Sequence, residues 1–167
     1  IVNLPYKSLE TLFKGRDSLL ADLAQHFGPV LQRNDRPAVV KALTGLGGIG
    51  KTRLALEYAW QHIGDYAVLL LVGADSPQAL DRNLAALCAK TMLDLPEQSE
   101  TDEARQRDAA LNWFNQHAGW LLILDNIDTE AAAGAAMALA PKLTGGHVLL
   151  TSRVTNWSGG IKAMPVG

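Results

Sequence analysis

Cysteine is nearly absent: Cys88 stands alone among 167 residues. No disulfide can form within the chain, so packing must hold the fold. Cys88 lies in the apolar stretch LAALCAK and reads as a small buried hydrophobe. An excess of charge of either sign is missing too. The 15 Lys and Arg against 17 Asp and Glu leave a net charge of −2, which argues against a nucleic-acid-binding surface. It leaves room for a small local phosphate site. No apolar run has the length of a membrane span; AVLLLVGA and WLLILD have the length of strands. The opening IVNLPYKSLE has neither the basic start nor the long apolar core of a signal peptide, so a cytoplasmic location is expected. His26, His62 and His117 do not fall at metal-ligand spacing, and His147, at the head of an apolar run, is expected to be structural or exposed. Repeats and low-complexity tracts are lacking, apart from the alanine-rich 130–140.

What is present is enough apolar residue, 48 %, to build the core of one domain. Short apolar runs alternate with helical patterns. Strands are expected at 38–44, 66–73, 120–125 and 147–152, with a further one at 161–166. Helices are expected at 17–27, 51–62, 77–92, 101–117 and 129–140, with Ser76 as a cap and Pro77 in the first turn of its helix. Strand–helix alternation with near-continuous apolar strands predicts an α/β three-layer sandwich: a parallel sheet of about five strands with helices on both faces. Residues 1–12 read as a linker and 13–167 as the domain. In such sheets ligands bind beyond the carboxyl ends of the strands.

The most informative motif falls there. Gly45-Leu46-Gly47-Gly48-Ile49-Gly50-Lys51-Thr52 fits G-x-x-x-x-G-K-[ST], between an expected strand and an expected helix. Chance would produce the four specified positions in about one chain of this length in two hundred. Glycines let backbone N–H groups turn inward on phosphates at the positive end of the following helix. Lys51 supplies a mobile charge for the outer phosphates, and the Thr52 hydroxyl a ligand for Mg²⁺.

Leu121-Leu122-Ile123-Leu124-Asp125 is an apolar strand ending in a carboxylate, placed to orient Mg²⁺ beside the loop. Asn126 follows. It can hydrogen-bond a water but cannot take its proton, so slow hydrolysis is expected. Asp128 is either a stand-in base or, as the commoner case, the cap of the helix after it. Arg153 ends the run VLLTSR and either faces the same cleft, where its guanidinium suits a terminal phosphate, or starts an exposed loop. Trp60, Trp113, Trp120 and Trp157 lie in or beside apolar patterns and are expected to pack.

FKGRD at 13–17, GLGGIGKTRLALEYA at 45–59, WLLILDNID at 120–128 and GGHVLLTSR at 145–153, in that order, resemble the NB-ARC, or STAND, class of signal-transduction ATPases. AVLLLVGADSPQAL at 67–80 resembles especially the bacterial branch that carries tetratricopeptide repeats. The resemblance implies an ADP/ATP switch: exchange controls oligomerisation and slow hydrolysis resets it. It implies that Phe13, Gly15 and Arg16 line an adenine pocket, that Gly45, Gly47, Gly48, Ile49, Gly50, Lys51 and Thr52 hold phosphates, and that Asp125 serves Mg²⁺. It makes Arg153 the γ-phosphate sensor. The Arg53 backbone would reach the α-phosphate, its side chain being solvated. In the family this domain is followed by helical and winged-helix domains and accompanied by effector and sensor domains. A chain that opens on Ile1 and stops after its last strand is thus expected to be a segment with weakened affinity. The competing expectation is a turnover ATPase or kinase core. No acceptor lid is visible, since 144–160 holds one basic residue, Arg153.

Overall fold

The computed structural model describes residues 1–8, 15–47 and 50–166. Its frame is a six-stranded, wholly parallel sheet. In chain order the elements are β1 (Val2–Asn3), α1 (Asp17–Phe27), β2 (Val39–Thr44), α2 (Lys51–Gln61), β3 (Val68–Gly73) and α3 (Pro77–Ala85). Then follow α4 (Glu103–Gln116), β4 (Trp120–Ile127), α5 (Glu130–Leu139), β5 (Gly146–Ser152) and β6 (Lys162–Pro165). The strands lie side by side as β1-β3-β4-β5-β2-β6. The three-layer α/β expectation holds, with one strand more than expected. That strand comes from the stretch read as a linker: Val2 and Asn3 pair with Leu69 and Leu70 at the sheet edge. Two residues carry no period, so sequence pattern could not show them.

Strand side chains alternate between two cores. On one face Leu43, Leu69, Leu121, Ile123 and Leu149 pack with Leu23 and Phe27 of α1 and Leu54, Ala55 and Tyr58 of α2. On the other, Ala42, Leu70, Leu122, Leu124 and Leu150 pack with Leu80 and Leu84 of α3, Phe114 of α4 and Ala132, Ala133 and Ala136 of α5. The alanine-rich tract is therefore a close-packing helix. Ser76 caps α3, its Oγ accepting from Ala79 N–H at 3.0 Å. The helix expected to reach residue 92 stops at Ala85 and tightens into a 3₁₀ turn at Ala86–Cys88. The turn brings Leu87 and Cys88 into the interior together; neighbouring positions on a straight helix point about 100° apart. Burial, first, raises the Cys88 thiol pKa.

His147 is fully buried, stacked on Phe27 at 4.7 Å, with Nδ1 2.6 Å from the Tyr66 hydroxyl. Burial lowers its pKa from 6.5 to about 4; the Lys41 charge adds to this and a backbone contact at Pro29 offsets part. The unfolded chain takes up this proton as pH falls through 6.5, and the folded chain does not until about 4. Stability contributed here is thus complete above 6.5, is lost between 6.5 and 4, and levels off below, by up to roughly 3 kcal/mol. Urea unfolding at stepped pH should show a shallower slope over that window for His147→Gln than for the parent. Equal slopes would refute the assignment.

Candidate functional site

The loop between β2 and α2 and the carboxyl end of β4 are separated in the sheet by one strand, β5. The end of β5 touches both. Its Ser152 carbonyl accepts from Gly45 N–H at 3.1 Å, fastening the loop at its first residue. Its Thr151 Oγ1 donates to Asp125 Oδ1 at 2.5 Å and accepts from Asn126 N–H at 3.0 Å. Ser152 Oγ donates to the Ile127 carbonyl and accepts from Val154 N–H at 2.8 Å.

A bulge sets this geometry. Leu124 pairs with Leu150 and Ile127 with Ser152, so Asp125 and Asn126 together face the single residue Thr151. Asn126 has φ 69°, left-handed backbone that Asn tolerates better than most residues with a side chain. The bulge holds the Asp125 carboxylate against α2: Thr52 Oγ1 donates to Asp125 Oδ1 at 2.7 Å.

On the loop side, Gly50 caps α2 at φ 84°, and no side-chain cap hydrogen bond is made to its first turn among the described residues. No acidic residue lies in that turn. Lys51, buried, folds back and donates from Nζ to the Gly45 and Leu46 carbonyls at 2.9 and 2.8 Å. A methyl group on Gly47 would come within 2.5 Å of Arg153 Nη2, so the guanidinium lies directly against the loop. Asp128 does not cap α5. Thr129 does, accepting from Ala132 N–H at 3.1 Å. Asp128 Oδ1 instead accepts from Arg153 N–H at 3.0 Å and anchors the backbone that carries this arginine.

A cleft of about 390 Å³ results, lined by Tyr6, Gly47, Gly50, Lys51, Thr52, Arg53, Leu56, Asn126, Asp128 and Thr151. Lys51, Thr52, Asp125, Asn126 and Arg153, distant in sequence, thus meet at one end of the sheet, with Gly45 at the root of the loop. Gly15 and Arg16 stand at the start of α1 and are not among the described residues lining the cleft. Phe13, Gly48 and Ile49 lie outside the described residues. The Arg53 side chain departs from expectation. It is bonded rather than solvated, donating to the Lys7 carbonyl at 2.9 Å and to Glu57 Oε1 at 3.2 Å. Tyr6 and Thr151 were not singled out in the sequence. A hydroxyl two residues before Arg153, near the end of the same apolar run, was the available signal for Thr151; Tyr6 had none. The tryptophans pack as expected: Trp120 is fully buried, and Trp60 and Trp157 donate to backbone carbonyls.

The donor set suits a hard cation: a hydroxyl and a carboxylate converge at Thr52 and Asp125. Among the described residues no helix is long and apolar enough to cross a membrane.

No family model matches the chain. It is 29 % identical over 120 residues to a nucleotide-binding leucine-rich repeat (NLR)-like protein of Hyaloscypha variabilis. The match covers 70 % of this chain and 12 % of that protein, so the chain spans a small fraction of its relative's length.

Proposed function

We propose that the chain is the nucleotide-binding switch domain of an NB-ARC-type, or STAND-type, signalling ATPase. The observation that carries this is the meeting of Thr52 with Asp125 at 2.7 Å at the mouth of an uncapped, glycine-led helix. Lys51 lies within that loop, and Arg153 lies against it. Loop N–H groups and Lys51 would hold the phosphates of ADP or ATP. Thr52 and Asp125 would hold Mg²⁺, which supplies positive charge to the outer phosphates when bound. Gly15 and Arg16, with Phe13, would complete the base pocket from the α1 side. The similarity to a protein named nucleotide-binding supports the ligand class.

Hydrolysis in this site is slow. Asn126 cannot accept a proton, and the Asp128 carboxylate is engaged by Arg153 N–H. A bound γ-phosphate favours one conformer over another. A population change from 1:99 to 99:1 needs roughly 5.5 kcal/mol of differential affinity. Contacts from the helical, winged-helix, effector and sensor domains of a longer protein would supply part of it and govern oligomerisation. A cytoplasmic location goes with this reading.

Calorimetric titration with ADP and ATP, with and without Mg²⁺, tests the reading. Micromolar binding strengthened by Mg²⁺ is expected, and Asp125→Ala should abolish most of the Mg²⁺ effect while leaving metal-free binding within about threefold. An Mg²⁺ effect that survives in the variant would remove Asp125 from this role. A turnover rate of about 10² s⁻¹ or more would favour a turnover enzyme instead.

A further inference from the structure

Thr151 of β5 faces two residues of β4, Asp125 and Asn126, across the bulge. It lines the cleft but is only 1 % exposed, so water has little room to replace what its hydroxyl does. A threonine hydroxyl has one proton to give and two lone pairs. Here the proton goes to Asp125 Oδ1 at 2.5 Å, and a lone pair takes the Asn126 N–H at 3.0 Å. With its proton committed, Thr151 cannot also donate to a phosphate or to a water. The hydroxyl therefore acts through Asp125.

Oδ1 of Asp125 has a second donor. Thr52 Oγ1 reaches it at 2.7 Å from the first turn of α2. Two hydroxyls, one from strand β5 and one from helix α2, thus converge on the same carboxylate oxygen. Among the described residues Oδ2 makes no hydrogen bond. The terminal torsion of an aspartate is broad and soft when nothing holds it. Held at one oxygen from two elements, this carboxylate has little freedom to turn, and its other oxygen is fixed with it. The Asn126 bond serves the same end from the backbone. Asn126 sits at φ 69°, the left-handed conformation that carries the bulge, and its N–H loses its partner without the Thr151 hydroxyl.

We propose that Thr151 is the positioning residue for the cation carboxylate: its hydroxyl fixes Asp125 so that Oδ1 stays with the two hydroxyls and Oδ2 is left for Mg²⁺ or a water that it holds. The inference rests on the nucleotide-binding reading above and adds to it a residue that acts on the metal ligand rather than on the metal. Groups that orient a metal ligand in this way set metal affinity by about 10–100-fold. The position requires a hydroxyl. Serine supplies one; valine keeps the shape of threonine and supplies neither hydrogen bond.

Calorimetric ADP titrations over a series of Mg²⁺ concentrations test this. They give, for each variant, the factor by which Mg²⁺ strengthens binding and the Mg²⁺ concentration at which it does so. Taken as a ratio, the factor cancels any change common to metal-free and metal-bound binding. Thr151→Val should raise the Mg²⁺ concentration needed by about tenfold or more, and Thr151→Ser should return it to within about threefold of the parent. Thr151→Ala also lacks the hydroxyl and carries the same comparison if the valine variant melts early. A hydroxyl-free variant with the Mg²⁺ dependence of the parent, or a serine variant no better than the valine one, overturns the positioning role while leaving the nucleotide reading in place. A parent chain that binds ADP with no Mg²⁺ effect overturns the role of Asp125 and this inference together. One that binds neither ADP nor ATP overturns the nucleotide reading itself.

Discussion

Lys51→Ala should lose nucleotide affinity by at least about 100-fold, for ADP and ATP alike, without unfolding. The ammonium is buried in the loop and, among the described residues, is held by neutral carbonyls, those of Gly45 and Leu46. No carboxylate among the described residues pairs with it, and an incoming phosphate can take over from the carbonyls. Two charge-assisted hydrogen bonds to phosphate, at roughly 1.5–3 kcal/mol each, account for a loss of that size. The fold should tolerate the change, because α2 is held by Leu54, Ala55 and Tyr58 in the core rather than by Lys51. Calorimetry measures the affinity and a thermal melt the fold. Unchanged binding in a folded variant would refute the phosphate-loop assignment.

Gly146→Ala has the largest expected effect on stability. A methyl group at Gly146 would lie 2.2 Å from Cδ2 of Trp120 and 2.4 Å from Cε2 and Cε3. Gly146 and Trp120 are paired across β5 and β4, so neither backbone can retreat without breaking the sheet ladder. The ring cannot swing away. It is wholly buried, its Nε1 donates to the Phe114 and His117 carbonyls at 3.0 and 3.1 Å, and its edge packs on Phe114 at 4.8 Å. Overpacking of a rigid core costs about 3 kcal/mol or more, a fall in Tm of roughly 6–12 °C for a chain of this size. Trp120→Leu in the Gly146→Ala background should be less destabilised than the sum of the two single changes, which a double-mutant cycle of melting data would reveal. Strict additivity would mean that the clash is relieved elsewhere.

The loop, the strands and the helices were legible because their signals are local. The glycines, Lys51 and Thr52 are contiguous, so their spacing in sequence is their spacing in space. The apolar strands read through because both faces of the sheet are covered. Asp125 could be assigned to the end of its strand, but not the bulge that aims it, since a two-for-one pairing depends on the neighbour, here Thr151. For Asp128 the local rule misled: both Asp128 and Thr129 can cap a helix, and the choice fell to Thr129 because the Arg153 amide, 25 positions away, claims the aspartate. Arg53 misled for the same reason. An arginine in the first turn of a helix looks solvated until the chain's beginning is folded across it.

By itself the sequence determined the alternation of strand and helix, the glycine-rich spacing of 45–52 and the apolar faces, since each depends on residues within a turn or two of one another. The tertiary structure alone decided that β5 lies between the loop strand and the Asp125 strand. It also decided that one strand end, Thr151 to Arg153, holds both halves of the cleft, and that Tyr6 forms its wall. These are pairings between segments tens of residues apart. They are set by which buried surfaces fit and which backbone groups find partners once the sheet has assembled, and short-range periodicity carries no record of either.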